Sequence, residues 1–120
     1  MKKSGPTNKY LKELIEDLKR KSFELNAPIW KAVAEKLENP RRKRVVVNLS
    51  DINRNTNEGD TVIVPGVVLS SGNITKKLKI AALRFSSRAK EKIKNANCEA
   101  IEIKEIIKWN PKGSGIKIIT

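Results

Sequence analysis

The sequence predicts an α/β fold: an N-terminal helical pair followed by a compact body of short strands and helices. Three observations predict it. Before position 40, apolar residues recur at three- and four-residue steps. After Arg44 the period shortens and β-branched residues dominate. From there to the end, short strand-like runs alternate with short helical ones. The 120 residues suit one domain. It divides into a basic flexible tail over 1–8, a helical pair over 9–39 and an α/β body over 40–120.

The elements follow in order. "MKKSGPTN" is a polar tail, outside the fold until a partner orders it. Leu11, Leu14, Ile15 and Leu18, extended by Phe23 and Leu25, make an amphipathic helix over 8–23, with Thr7 or Asn8 as its cap. Glu13, Glu16 and Asp17 lie early and Lys19, Arg20 and Lys21 late, as the helix dipole favours. Asn26 caps a second helix with Pro28 in its first turn. Ile29, Trp30, Val33, Ala34 and Leu37 form its apolar stripe, and Asn39-Pro40 ends it. "VVVNL" is a buried strand, and Ser50 or Asp51 starts a helical turn through Arg54. "TVIV" is the second strand, broken by Pro65-Gly66, and "VVLSSGNI" reads as strand, turn and re-entry. "KLKIAALRF" is apolar on both alternating sets, which predicts burial on both faces. Ser86 or Ser87 caps a helix over 87–96 with Ala89, Ile93 and Ala96 inward. "EAIEI" is a strand, "KEIIKWNP" a short helix ending at Pro111, and "GIKIIT" a last strand.

The formal net charge is +13, which calls for a polyanionic partner. It is unevenly spread. Residues 1–44 hold 13 Lys and Arg against 6 Asp and Glu, residues 45–75 hold 1 against 3, and residues 76–120 hold 12 against 4. An apolar, slightly acidic centre between basic ends describes a folded body with charged faces, not a disordered polybasic chain. No apolar run nears the length of a membrane span and no signal-like segment follows Met1, so a soluble cytoplasmic protein without a membrane partner is expected. "NLS" at 48–50 and "NIT" at 73–75 match a glycosylation pattern by chance.

Enzymatic chemistry finds little footing. Histidine is absent, and the single cysteine, Cys98, reads as a small core residue. No metal, cofactor or small-molecule substrate is implied. Ser87-Arg88-Ala89-Lys90 has the Ser-x-x-Lys spacing of penicillin-recognising enzymes, but the companion motifs are missing. A serine cap with an exposed lysine explains it. "VPGVVLSSG" lacks phosphate-loop spacing and reads as a strand connection.

The basic clusters carry the functional signal. They are Lys2-Lys3, Lys19–Lys21, Arg41–Arg44, Lys76-Lys77 with Lys79, and the Arg88, Lys90, Lys92, Lys94 run. In Arg41-Arg42-Lys43-Arg44, three of four cations are arginine although the chain has 19 Lys and 7 Arg. Arginine forks onto phosphate and stacks on bases. Set between Pro40 and a buried strand, these side chains are aimed before binding, which suits a defined RNA shape. The five aromatic residues are too few for a base-stacking platform, so structured RNA fits better than single strands.

Three stretches carry a family resemblance: "IWKAVAEKLENPRRKRVVVNLSDI" (29–52), "VIVPGVVLSSGNI" (62–74) and "KIAALRFSSRAKEKI" (79–93). Together they resemble the eighteen-e family of the archaeal and eukaryotic large ribosomal subunit, over nearly the whole chain and at the archaeal length. The resemblance implies a structural, non-catalytic role on large-subunit ribosomal RNA, beside neighbouring ribosomal proteins. It also implies a fold like the C-terminal part of bacterial large-subunit protein fifteen. By matching position it makes Arg41, Arg42 and Asn48 RNA-facing or site-forming. The chain departs from the family at Val67 and Ser70, where the family usually has lysine and glycine.

The expected RNA-binding set is Lys2, Lys3, Asn8, Arg41, Arg42, Lys43, Arg44, Asn48, Arg54, Lys76, Lys77, Arg84, Arg88 and Lys112. The rival readings are a free RNA chaperone or nucleoid-type binder, and an enzyme using Ser87 and Lys90.

Overall fold

The computed structural model describes residues 9–39 and 45–120. Helix α1 spans Lys9–Leu25 and α2 spans Pro28–Leu37. Then come β1 (Val45–Asn48), α3 (Leu49–Arg54), β2 (Thr61–Leu69), β3 (Lys79–Phe85), α4 (Ser87–Asn95), β4 (Glu99–Glu102), α5 (Ile103–Trp109) and β5 (Ile116–Ile118). The expected α/β class and element order hold. The five strands form one sheet in the order β1-β2-β3-β4, with β5 also on β2, and every pairing is parallel.

Helices cover both faces, as a parallel sheet requires. On one face Leu11, Leu14, Ile15 and Leu18 of α1 and Trp30, Val33, Ala34 and Leu37 of α2 pack with Ile103, Ile106 and Ile107 against Ile63 and Ala81. On the other, Leu49, Ile52, Ala89 and Ile93 pack against Val47, Val62, Val64, Val68, Ile80 and Ala82. The β3 side chains divide between the faces, Ala81 to one and Ile80 and Ala82 to the other, which is the two-sided burial expected of "KLKIAALRF". The Trp30 indole N–H donates to the Pro111 carbonyl at 2.7 Å, tying the helical pair to the turn between α5 and β5.

Pro65-Gly66 does not break the strand: β2 runs unbroken through it. The reason lies in the pairing. Along one side, β5 pairs with Thr61–Ile63 and β1 begins at Gly66, so Pro65 sits at the seam between two end-to-end neighbours. On the other side the β3 register shifts between Val64 and Val67. Proline's missing N–H therefore costs no ladder bond. Gly66 is required because a Cβ there would overlap the Val45 carbonyl oxygen.

Three local readings are corrected. Asn26 is not the cap of α2, whose N-cap is Ala27. Instead it closes α1 in the left-handed region at φ 53. Ala27 N–H reaches the Ser22 carbonyl and Asn26 N–H the Phe23 carbonyl, a Schellman ending. Because α1 runs from Lys9 to Leu25, the charges expected at its ends lie inside it. There Arg20 pairs with Asp17 and Lys21 lies 3.9 Å from Glu24. Phe23 is not core: it is 88% exposed.

Candidate nucleic-acid interface

Local chemistry decides which cations can reach a partner. Residues 70–78 connect parallel strands β2 and β3 without a helix, so their backbone needs other partners. Ser50 N–H donates to the Ser71 carbonyl at 3.0 Å, and Asn53 Oδ1 accepts the Thr75 N–H at 3.0 Å. Two lysines complete the clamp. Lys92 of α4 donates to the carbonyls of Ser70 (2.9 Å) and Gly72 (3.0 Å). Lys76 donates to the Asn53 carbonyl at 2.5 Å and to that of Thr56. The buried Thr56 hydroxyl closes the same helix end on Ile52 at 2.8 Å. A cation where the α3 carbonyls converge also meets the favourable end of the helix dipole.

Lys112 does similar work at distance, donating to the Leu25 carbonyl at the end of α1, 2.9 Å away. Asn48 is the N-cap residue of α3, and its N–H donates to Asp51 at 3.1 Å, one arm of a capping box. Arg54 lies 3.5 Å from Asp51 on the exposed side of α3. Of the expected set, Asn48, Arg54, Lys76 and Lys112 thus have structural partners within the chain.

The other described members of the set point outward. Lys77, Arg84 and Arg88 are exposed, as are Lys90 and Lys94. None of these five has an ion pair among the described residues. Arg88, Lys90 and Lys94 share α4, whose N-cap Ser86 accepts the Ala89 N–H at 3.1 Å. Buried Ala89 and Ile93 hold that helix to the sheet and leave Arg88, Lys90 and Lys94 exposed, with acidic Glu91 exposed among them. Lys2, Lys3, Asn8, Arg41, Arg42, Lys43 and Arg44 lie outside the described residues.

Elsewhere the charges are more settled. Lys79 stands 4.5 Å over the Trp109 ring and Lys104 5.3 Å over Tyr10. Burial, then the nearby Glu102 carboxylate, raises the Tyr10 hydroxyl above its ordinary value. The Asp60 carboxyl is held below its usual range by the Asn57 N–H and by Lys117, 3.1 Å away. Cys98 is half-buried rather than core, its thiol donating to the Lys76 carbonyl at 3.0 Å and accepting the Leu78 N–H at 3.3 Å. Among the described residues no cluster of His, Cys, Asp and Glu could hold a metal, and no helix is long and apolar enough to cross a membrane.

The whole chain finds relatives. The model of the family described as ribosomal protein 60S L18 and 50S L18e matches residues 1–120. "Large ribosomal subunit protein eL18" of Methanopyrus kandleri is 46% identical, covering 97% of this chain and 95% of the relative. Its namesake in Methanococcus maripaludis is 45% identical over 99% of both chains. The one in Pyrobaculum aerophilum is 41% identical over 97% of this chain and 95% of its own length. With the family model matched from end to end and relatives at 41–46% identity, the chain belongs to the family described as ribosomal protein 60S L18 and 50S L18e.

Proposed function

We propose that the chain is a non-catalytic structural constituent of the large ribosomal subunit, folded as one domain over 1–120, that holds folded ribosomal RNA through cation–phosphate contacts. Family membership supports the ribosomal role. The observation that carries the RNA contact is the division among the cations. Some are spent on the chain's own carbonyls, while the side chains of Arg88, Lys90 and Lys94 on α4, and of Lys77, are exposed with no ion pair among the described residues. In a chain of net charge +13, such groups lower their own repulsion by meeting phosphate. Lys2, Lys3, Asn8, Arg41, Arg42, Lys43 and Arg44, which lie outside the described residues, are assigned further RNA contacts by their charge and sequence pattern, and Arg54 adds one from α3. Arg84 stands apart, in an apolar row of the sheet.

Salt-dependent binding to large-subunit RNA tests this, with an unrelated structured RNA as competitor. Each phosphate contact lowers log affinity by about 0.7–0.9 per log unit of salt. A steep slope with strong preference for the ribosomal RNA is expected. A steep slope without preference would replace this reading with a promiscuous nucleic-acid binder.

A further inference from the structure

The helices of the α1/α2 face leave part of the sheet bare. Val45 and Val47 pack towards α3 and α4, so Val46 faces the other way. By the same alternation Val67 and Leu69, on either side of buried Val68, share the Val46 face. The register joins them: Val46 is opposite Val67, and Val67 is opposite Arg84. Val46 is 58% exposed on the edge strand β1 and Leu69 37% exposed at the end of β2. Arg84 is exposed and has no ion pair among the described residues.

We propose that this row docks a neighbouring protein of the large subunit, through an apolar segment that carries a carboxylate for Arg84. The inference rests on the ribosomal reading above. Three aliphatic side chains around one arginine, with no lysine in the row, have the makeup of a protein interface core, where lysine is depleted and arginine enriched. RNA fits poorly, because valine and leucine offer nothing to the ribose and phosphate oxygens they would strip of water. A second copy fits poorly too, since each copy brings +13. A carboxylate matches Arg84 by charge and can take its fork through two hydrogen bonds.

The test is photo-crosslinking in assembled large subunits from the exposed position Val46→p-benzoylphenylalanine, with Lys90→p-benzoylphenylalanine as the RNA-side comparison. Irradiated particles that contain the chain should give a protein adduct from position 46 and an RNA adduct from position 90. Adding Arg84→Glu should reduce the position-46 adduct by about tenfold, as loss of a paired interfacial charge does. An RNA adduct from position 46, or no adduct in particles that contain the chain, overturns the docking row and leaves the ribosomal role standing. Absence of the chain from the particles overturns both.

Discussion

The Lys76 ammonium lies 2.5 Å from the carbonyl oxygen of Asn53, and so a residue of the β2–β3 connection closes the end of α3. Replacing it by Lys76→Met strips two carbonyls of their donor. The expected cost is about 1–3 kcal/mol. Chemical denaturation measures it, and the salt slope of RNA binding should stay unchanged. A changed slope at equal stability would move Lys76 to the RNA surface.

Arg88 is expected to do the converse. It is exposed on α4 with no ion pair among the described residues. Arg88→Ala should leave thermal unfolding within about 0.5 kcal/mol of the parent, as surface changes do. It should reduce the magnitude of the salt slope by about 0.7–0.9, one phosphate's worth. Paired binding and melting curves separate the two effects.

Charge reversal of Arg41 and Arg42 follows the same logic beyond the described residues. Arg41→Glu with Arg42→Glu should weaken binding to large-subunit RNA by tenfold or more, on the order of the penalty for opposing two phosphate contacts. The melting temperature should hardly move. Equal loss of stability would assign the pair to folding.

Gly66→Ala should be among the most damaging single changes. The new Cβ would meet the Val45 carbonyl, a backbone atom that can give way only if β1 leaves β2. A loss of about 1–3 kcal/mol or more is expected. Hydrogen exchange should show the 45–48 amides opening first.

Acid should act through Asp60. Its folded carboxyl is held low by the Asn57 N–H and Lys117, so the unfolded state binds the proton more readily. The group's contribution is therefore present above the unfolded carboxylate value of about 3.9 and is lost as pH falls through the lower folded value. The stability gap between the parent and Asp60→Asn should be flat near neutrality and close in strong acid. A gap that opens as pH falls would contradict the assignment.

Much of this architecture was legible in residue order. Short-range signals carried it: the Leu11-Leu14-Ile15-Leu18 stripe, the Ser86 cap, and the two-sided apolarity of Ile80 to Ala82. Two of the misreadings share a cause, since they depended on a neighbour distant in sequence. Pro65 looks like a breaker until β5 and β1 are seen to meet beside it. Lys76, Lys92 and Lys112 look like surface charge, because the carbonyls they satisfy lie 20 or more positions away. Asn26 was readable by composition as a cap but not as which one, because asparagine serves both a helix start and a left-handed helix end.

The seam beside Pro65 also sets an order of events during synthesis. The lower half of β2 takes its partner from Ile116–Ile118, made after the other strands of the described residues, while the upper half takes β1, made long before. A nascent chain can lay down β1, β2 and β3, yet Thr61 to Ile63 keep a bare hydrogen-bonding edge until β5 has been made. Such an edge invites foreign strands. Strand β5 thus acts as a latch, and a chain cut short before Ile116 would leave a sticky sheet.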